Sequence, residues 1–204
     1  YGNEMKSICV YCGSSAGTDM IYRKTAIDLG KALAHYNIRL IYGGGRIGLM
    51  GELADSVLSN GGEVTGIIPR FLYEKEVAHT GLTKLKVVET MHQRKSTMIE
   101  EADGFITLPG GFGTLDETFE VISWGQLQLH QKPCAFFNIQ GYYDELKNFI
   151  EKAIMEGFVD KKYKQLFCFE SNLLNIMDFF STYIHPFSDK AAEALNDQSK
   201  TVHD

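Results

Sequence analysis

Short apolar runs alternate with longer amphipathic segments from one end of this chain to the other, and glycines gather where a run ends. A strand-then-helix repeat of this kind buries its apolar surface as βαβ units around a parallel sheet. The pattern predicts strands over residues 7–12, 39–42, 63–68, 85–89, 104–108, 134–137 and 166–169. It predicts helices over 19–36, 47–60, 91–102, 115–130, 142–156 and 173–183. The helix over 115–130 is placed by a stripe of Leu115, Phe119, Ile122 and Leu129. Asn60-Gly61-Gly62 supplies a helix stop before the third strand. The fold class expected is α/β: a single-domain, doubly wound, Rossmann-like parallel sheet with helices on both faces. Residues 6–185 form this domain, and the polar stretch 186–204 is expected to be a frayed tail.

Composition removes several classes of function. The chain has 204 residues and a net charge of −6, which argues against the basic footprint of a nucleic-acid or membrane-surface binder. No apolar stretch approaches the ~18 residues of a membrane span and no signal-peptide pattern is read, so a cytoplasmic protein is expected. Cys9 and Cys12 form a C-x-x-C, but within a β-rich run; a thioredoxin-like pair opens a helix, and zinc would want a second close pair. Buried strand cysteines are expected. The six histidines have no metal-ligand spacing, and Met20, Met50, Met98, Met155 and Met177 are read as core filler.

Three glycine clusters follow strands: Cys12-Gly13-Ser14-Ser15, Tyr42-Gly43-Gly44-Gly45-Arg46-Ile47-Gly48, and Pro109-Gly110-Gly111-Phe112-Gly113-Thr114. In a doubly wound sheet all three lie along the carboxyl edge, where ligands bind. Gly43, Gly45 and Gly48 satisfy G-x-G-x-x-G, yet the acid that should end the next strand is missing and Arg70 stands nearby. The second cluster is therefore read as a phosphate- or sugar-binding loop, with an NADP site as one alternative. In the third cluster the bare backbones of Gly110, Gly111 and Gly113 admit an anion, and Thr114 adds a hydroxyl at the helix start. Thr114-x-x-Glu117 is equally a capping box, so capping and catalysis both remain open there. No G-K-[ST] occurs, which excludes a Walker A loop.

Thr90-Met91-His92-Gln93-Arg94-Lys95 also begins with a capping box, Thr90 with Gln93, and puts two cations in the first helical turn. Cations there oppose the helix dipole at ~0.3–1 kcal/mol each unless an anion compensates. Arg94 and Lys95 are accordingly read as ligands for an anionic substrate.

Met91-His92-Gln93-Arg94-Lys95 followed by Pro109-Gly110-Gly111-Phe112-Gly113-Thr114-Leu115-Asp116-Glu117 resembles the M-H-x-R-K and P-G-G-x-G-T-x-x-E hallmarks of the LONELY GUY (LOG) family. The likeness takes in Cys12–Ser15, Tyr42–Gly45, Gly48–Gly51 and Ile68-Pro69 as well, and runs from about Lys6 to Tyr183. The family's enzymes are cytokinin riboside 5′-monophosphate phosphoribohydrolases, and many relatives carry the label of lysine decarboxylases. The resemblance implies a homodimer that hydrolyses the N-glycosidic bond of a purine nucleoside monophosphate, with no metal and no cofactor. It implies Arg94 and Glu117 as the catalytic pair. Substrate binding is expected from Lys95, Gly110, Gly111, Phe112, Gly113 and Thr114, and from Gly13, Ser14, Gly43, Gly44 and Gly45. Glu76 and Ser123 complete the implied set, Ser123 where the family often has threonine. The family commonly has an acid where this chain has Gln93.

Three rival readings differ in class. A non-catalytic nucleotide or cofactor carrier would use the same loops, an NADP oxidoreductase would use the second, and a PLP-dependent decarboxylase would need an S-x-H-K run that is absent.

Overall fold

The structure is a computed structural model that describes residues 5–75 and 77–187. The strands are β1 (Ser7–Tyr11), β2 (Arg39–Tyr42), β3 (Val64–Pro69), β4 (Lys84–Val88), β5 (Gly104–Thr107), β6 (Cys134–Phe137) and β7 (Phe167–Glu170). All pair in parallel, in the order β4-β3-β2-β1-β5-β6-β7. The chain winds outward from β1 to β4 and then returns to place β5 on the other flank of β1. The strand order therefore reverses between β1 and β5, and a crevice opens at their carboxyl ends.

The helices are α1 (Met20–His35), α2 (Gly48–Ser59), a single turn α3 (Arg70–Tyr73), α4 (Met91–Glu101), α5 (Phe112–Gln126), α6 (Asp144–Met155) and α7 (Leu173–Thr182). Because strand side chains alternate, the sheet feeds two cores. Ile8, Val10, Leu40, Tyr42 and Ile106 pack with Leu29 and Leu33 of α1, Leu53 and Val57 of α2, and Ile176 and Phe180 of α7. Cys9, Tyr11, Ile41, Ile67 and Phe105 pack with Met98 of α4 and Val121 of α5 on the other face. The doubly wound expectation holds, with helices on both faces. No described helix is long and apolar enough to cross a membrane.

Local departures from the sequence reading have local causes. Helix α5 begins at Phe112, not Leu115, because Gly111 takes the N-cap position, and it ends at Gln126, four residues short. Its buried stripe is Thr114, Glu117, Thr118, Val121 and Gly125, whereas Leu129 lies beyond the helix and is exposed. The predicted apolar stripe is thus rotated: two threonines, a glycine and a carboxylate take the inward face. Met20 and Met155 are exposed at helix ends, so they are not core filler. Cys9, Cys12 and Cys134 are buried free thiols as expected, and Cys168 is half-buried. Tyr142 stands in the turn ahead of α6 instead of inside it. The expected tail falls largely on residues 188–204, which lie outside the described residues.

Candidate active site

The first turn of α4 starts the site. Thr90 Oγ1 accepts the Gln93 amide at 3.1 Å, and the Gln93 side-chain oxygen accepts the Glu89 amide at 2.9 Å. The cap is the one expected, except that Gln93 reaches one residue further back. It holds Arg94 on the inner face of α4, where the residue is 8% exposed. Arg94 Nε donates to the Ile67 carbonyl at 3.1 Å, and Nη2 points to the Gly43 carbonyl at 3.5 Å. Nη1 pairs with Glu117 Oε1 at 2.9 Å. A Cβ built on Gly43 would stand 2.0 Å from Arg94 Nη2. Glycine at this position is therefore needed to let the guanidinium through.

Glu117 projects from the second turn of α5 and is 9% exposed. Its pKa is raised: burial is the largest cause, Arg94 opposes it, and Asp116 adds repulsion. The thiol of the neighbouring Cys9 is pushed well up, chiefly by burial, so it stays protonated beside the carboxylate. Helix α5 is pinned to β5 by a buried hydroxyl chain. Thr107 and Thr118 hydroxyls lie 2.9 Å apart, and Thr118 Oγ1 donates to the Thr114 carbonyl at 2.7 Å.

Thr114 is not an N-cap. Gly111 holds that position with no side-chain bond, and Thr114 is buried in the first turn, so no capping box with Glu117 exists. Gly110 must be bare because a Cβ there would lie 2.0 Å from Thr114 Oγ1. Around Gly111 and Gly113 a Cβ would meet nothing within 4 Å, which leaves the first-turn amides of α5 open to an incoming anion. Phe112, 95% exposed, stands beside them. The cap residue Gly111 borders a cleft of about 310 Å³ at the strand-order reversal, lined also by Gly13, Ser14, Tyr22, Gly110 and Tyr142. Tyr142 donates to the Gly110 carbonyl at 2.7 Å and packs edge-on against Tyr22. Sequence reading missed both tyrosines. The only signal for Tyr142 was its position just after a strand on the carboxyl edge.

The second glycine loop serves a different purpose from the one its pattern suggests. The first-turn Leu49 amide of α2 is taken by the Gly13 carbonyl at 3.1 Å, and a Cβ on Gly48 would sit 2.3 Å from the Ser14 carbonyl. That helix start is covered, which removes the pyrophosphate seat of a dinucleotide site. Gly43 faces Arg94, while Gly44 and Gly45 face the segment Val77–His79 through an antiparallel bridge.

Lys95 also departs from expectation. Its ammonium pairs with Asp116 Oδ2 at 3.2 Å and with Glu120, so the compensating anions come from α5. Burial alone would lower its pKa, but the two carboxylates outweigh that and raise it. Ser123 lies exposed on α5, two turns beyond Asp116 on the same side, and is not brought to the Arg94–Glu117 pair. Glu76 lies outside the described residues.

A family model described as "possible lysine decarboxylase" matches residues 50–179. The cytokinin riboside 5′-monophosphate phosphoribohydrolase LOG1 of Arabidopsis thaliana is 48% identical over 157 residues, covering 77% of this chain and 74% of the relative. The probable cytokinin riboside 5′-monophosphate phosphoribohydrolase LOGL3 of Oryza sativa subsp. japonica is 41% identical over 194 residues, covering 95% and 92%. The chain belongs to the LOG family. Solved structures extend the likeness of fold. The molybdenum cofactor binding protein of Rippkaea orientalis superposes with a TM-score of 0.65 at 19% identity, covering 86% of this chain and 95% of that one. The molybdenum cofactor carrier protein of Chlamydomonas reinhardtii gives the same TM-score and coverage at 17% identity. In LOG family terms, Arg94 and Glu117 fall in the two hallmark motifs, and the fold brings those motifs into contact.

Proposed function

We propose that the chain is a hydrolase that cleaves the N-glycosidic bond of a purine riboside 5′-monophosphate, cytokinin-type or AMP-like, releasing free base and ribose 5-phosphate. The observation that carries this reading is the buried Arg94–Glu117 pair, 2.9 Å apart, beside an uncovered helix start in a LOG family chain. In the proposed arrangement the 5′-phosphate rests on the amides at Gly111–Thr114, where the α5 dipole favours an anion. Water attacks C1′ as the C1′–N bond breaks and its electron pair leaves with the base. Positive charge grows on the ribose ring during this step, and a carboxylate fixed in a dry site stabilises it. Glu117 takes that place and accepts the proton of the attacking water, and the departing base takes up a proton from solvent to leave as the neutral free base. The burial that raises its pKa also makes it a better base. Arg94 holds the carboxylate in line and polarises the departing base. Gly13 and Ser14, which line the cleft, and the exposed Phe112 beside it complete the proposed binding set, while Gly43, Gly44 and Gly45 serve by seating Arg94 and Lys95 by setting charge around Glu117. The proposal includes a homodimer working without metal or cofactor, as the family resemblance implies, and a cytoplasmic location, as expected from the sequence pattern.

The carrier reading is not favoured, because the carrier proteins share the fold at 17–19% identity while the phosphoribohydrolases share 41–48%. Chromatography after incubation with AMP or with isopentenyladenosine monophosphate tests the reading. Free base and ribose 5-phosphate are expected, and the faster substrate identifies the base. Binding of either nucleotide with no base released would refute the hydrolase reading.

A further inference from the structure

We propose that His79 is a positioning residue that holds Arg94 in its catalytic orientation through the second glycine loop; this rests on the hydrolase reading above. The segment Val77–His79, ahead of β4, pairs with the glycine loop that follows β2. Gly45 and Ala78 form an antiparallel bridge, Arg46 N donates to the Val77 carbonyl at 3.1 Å, and His79 N donates to the Gly44 carbonyl at 2.9 Å. The loop is thereby clamped on two sides. Its outer side carries the strap, and its inner side presents the Gly43 carbonyl and a bare Cα to the Arg94 guanidinium. Gly44 has φ +76°, so the loop's turn uses a conformation that other residues rarely adopt and is held by its neighbours.

The imidazole is the fastening of the strap. Gly81 N donates to His79 Nδ1 at 3.1 Å, which requires that nitrogen to be unprotonated. The proton is therefore on Nε2, which donates to Asp55 Oδ1 of α2 at 2.8 Å. Both ring nitrogens are used, one within the strap and one onto the helix that leaves the glycine loop. The ring is nearly buried, and Asp55 is largely exposed. None of these contacts touches the third glycine loop. A loosened strap should therefore disturb Arg94 while leaving the phosphate seat at Gly111–Thr114 intact.

The test uses His79→Ala, His79→Gln, Asp55→Ala and the His79→Ala/Asp55→Ala double variant. Measured below the melting temperature with AMP, His79→Ala should lose roughly tenfold in kcat with little change in KM, since displacement by a fraction of an ångström suffices for such a loss. Gln keeps a donor for Asp55 and should recover part of the rate. Asp55→Ala should lose rate in the same sense, and the double variant should lose no more than His79→Ala alone. Exposed Asp55 also covers the case in which His79→Ala does not fold. A second readout needs no turnover: the Arg94 Nε–H, which donates to Ile67, should exchange faster in the Ala variants by nitrogen-15 NMR. A folded His79→Ala or Asp55→Ala protein with unchanged kcat and unchanged Arg94 Nε–H exchange overturns the proposal. So does a rate loss that is additive in the double variant. If the wild type releases no base, the hydrolase reading fails on its own, and Arg94 exchange still decides whether the strap holds the guanidinium.

Discussion

Burial does two things to Glu117. It removes water from a carboxylate and leaves Arg94 as its near partner, and the net result is a raised pKa. The folded chain therefore holds the Glu117 proton more tightly than the unfolded chain does. Stability from this group is fully present below the ordinary carboxylate pKa and is lost as pH rises through the raised value. At neutral pH its charge is a cost to folding, which is the usual mark of a site that keeps a group for chemistry. Glu117→Gln should accordingly melt no lower than wild type at pH 7, while base release falls about a thousandfold, ~4 kcal/mol on the barrier. A calorimetric scan paired with the chromatographic assay checks both halves. Asp116 repels the Glu117 charge, so Asp116→Asn should move the acidic limb of the kcat/KM profile to lower pH. A pH–rate profile that does not move would remove Glu117 as the titrating group.

Helix starts are where elements meet function here. α4 is capped by Thr90, and its first-turn cations meet carboxylates from α5: Arg94 with Glu117 inside, Lys95 with Asp116 and Glu120 outside. α5 starts on a bare glycine and leaves its amides open. The two starts should respond differently to mutation. Thr90→Ala removes a side-chain cap and should cost ~1 kcal/mol in urea unfolding. Gly43→Ala should retain the fold but drive a methyl into Arg94, with base release reduced about a hundredfold, because a misplacement near 1 Å costs that much. Wild-type turnover in folded Gly43→Ala would mean that the guanidinium position is not what matters.

The whole molecule is a continuous sheet covered on both faces, so damage far from the crevice is felt throughout. Phe136 on β6 is fully buried, stacks on Phe169 of β7 with centroids 4.4 Å apart, and meets Tyr143 edge-on. Tyr143 in turn donates to the Leu108 carbonyl at the end of β5, at 2.7 Å. Phe136→Ala should destabilise by ~3–5 kcal/mol and lower the urea midpoint of a single transition, with the slope unchanged. Two separated transitions would show that the β6–β7 flank unfolds independently of the site.

Alternating runs and amphipathic segments were enough to determine a doubly wound sheet, because a period of two or of 3.6 is a property of consecutive residues. The glycine clusters were legible for the same reason, as was the pairing of Arg94 with Glu117 through two motifs of the LOG family. Only the tertiary structure decided which glycine loop does what. Gly43 admits a guanidinium, Gly48 packs under Ser14, and Gly111 faces open space, yet all three read alike along the chain. Lys95 was legible as a misplaced cation, but its partners Asp116 and Glu120 sit on another helix, so an external anion looked necessary. The start of α5 depended on Gly111 taking the cap in place of Thr114, a choice made by the burial of Thr114 and Thr118 against β5 and not by helix propensity. Local periodicity is written in neighbours along the chain; charge pairing, open amides and the strap on the glycine loop depend on neighbours in space, which the order of the parallel strands sets.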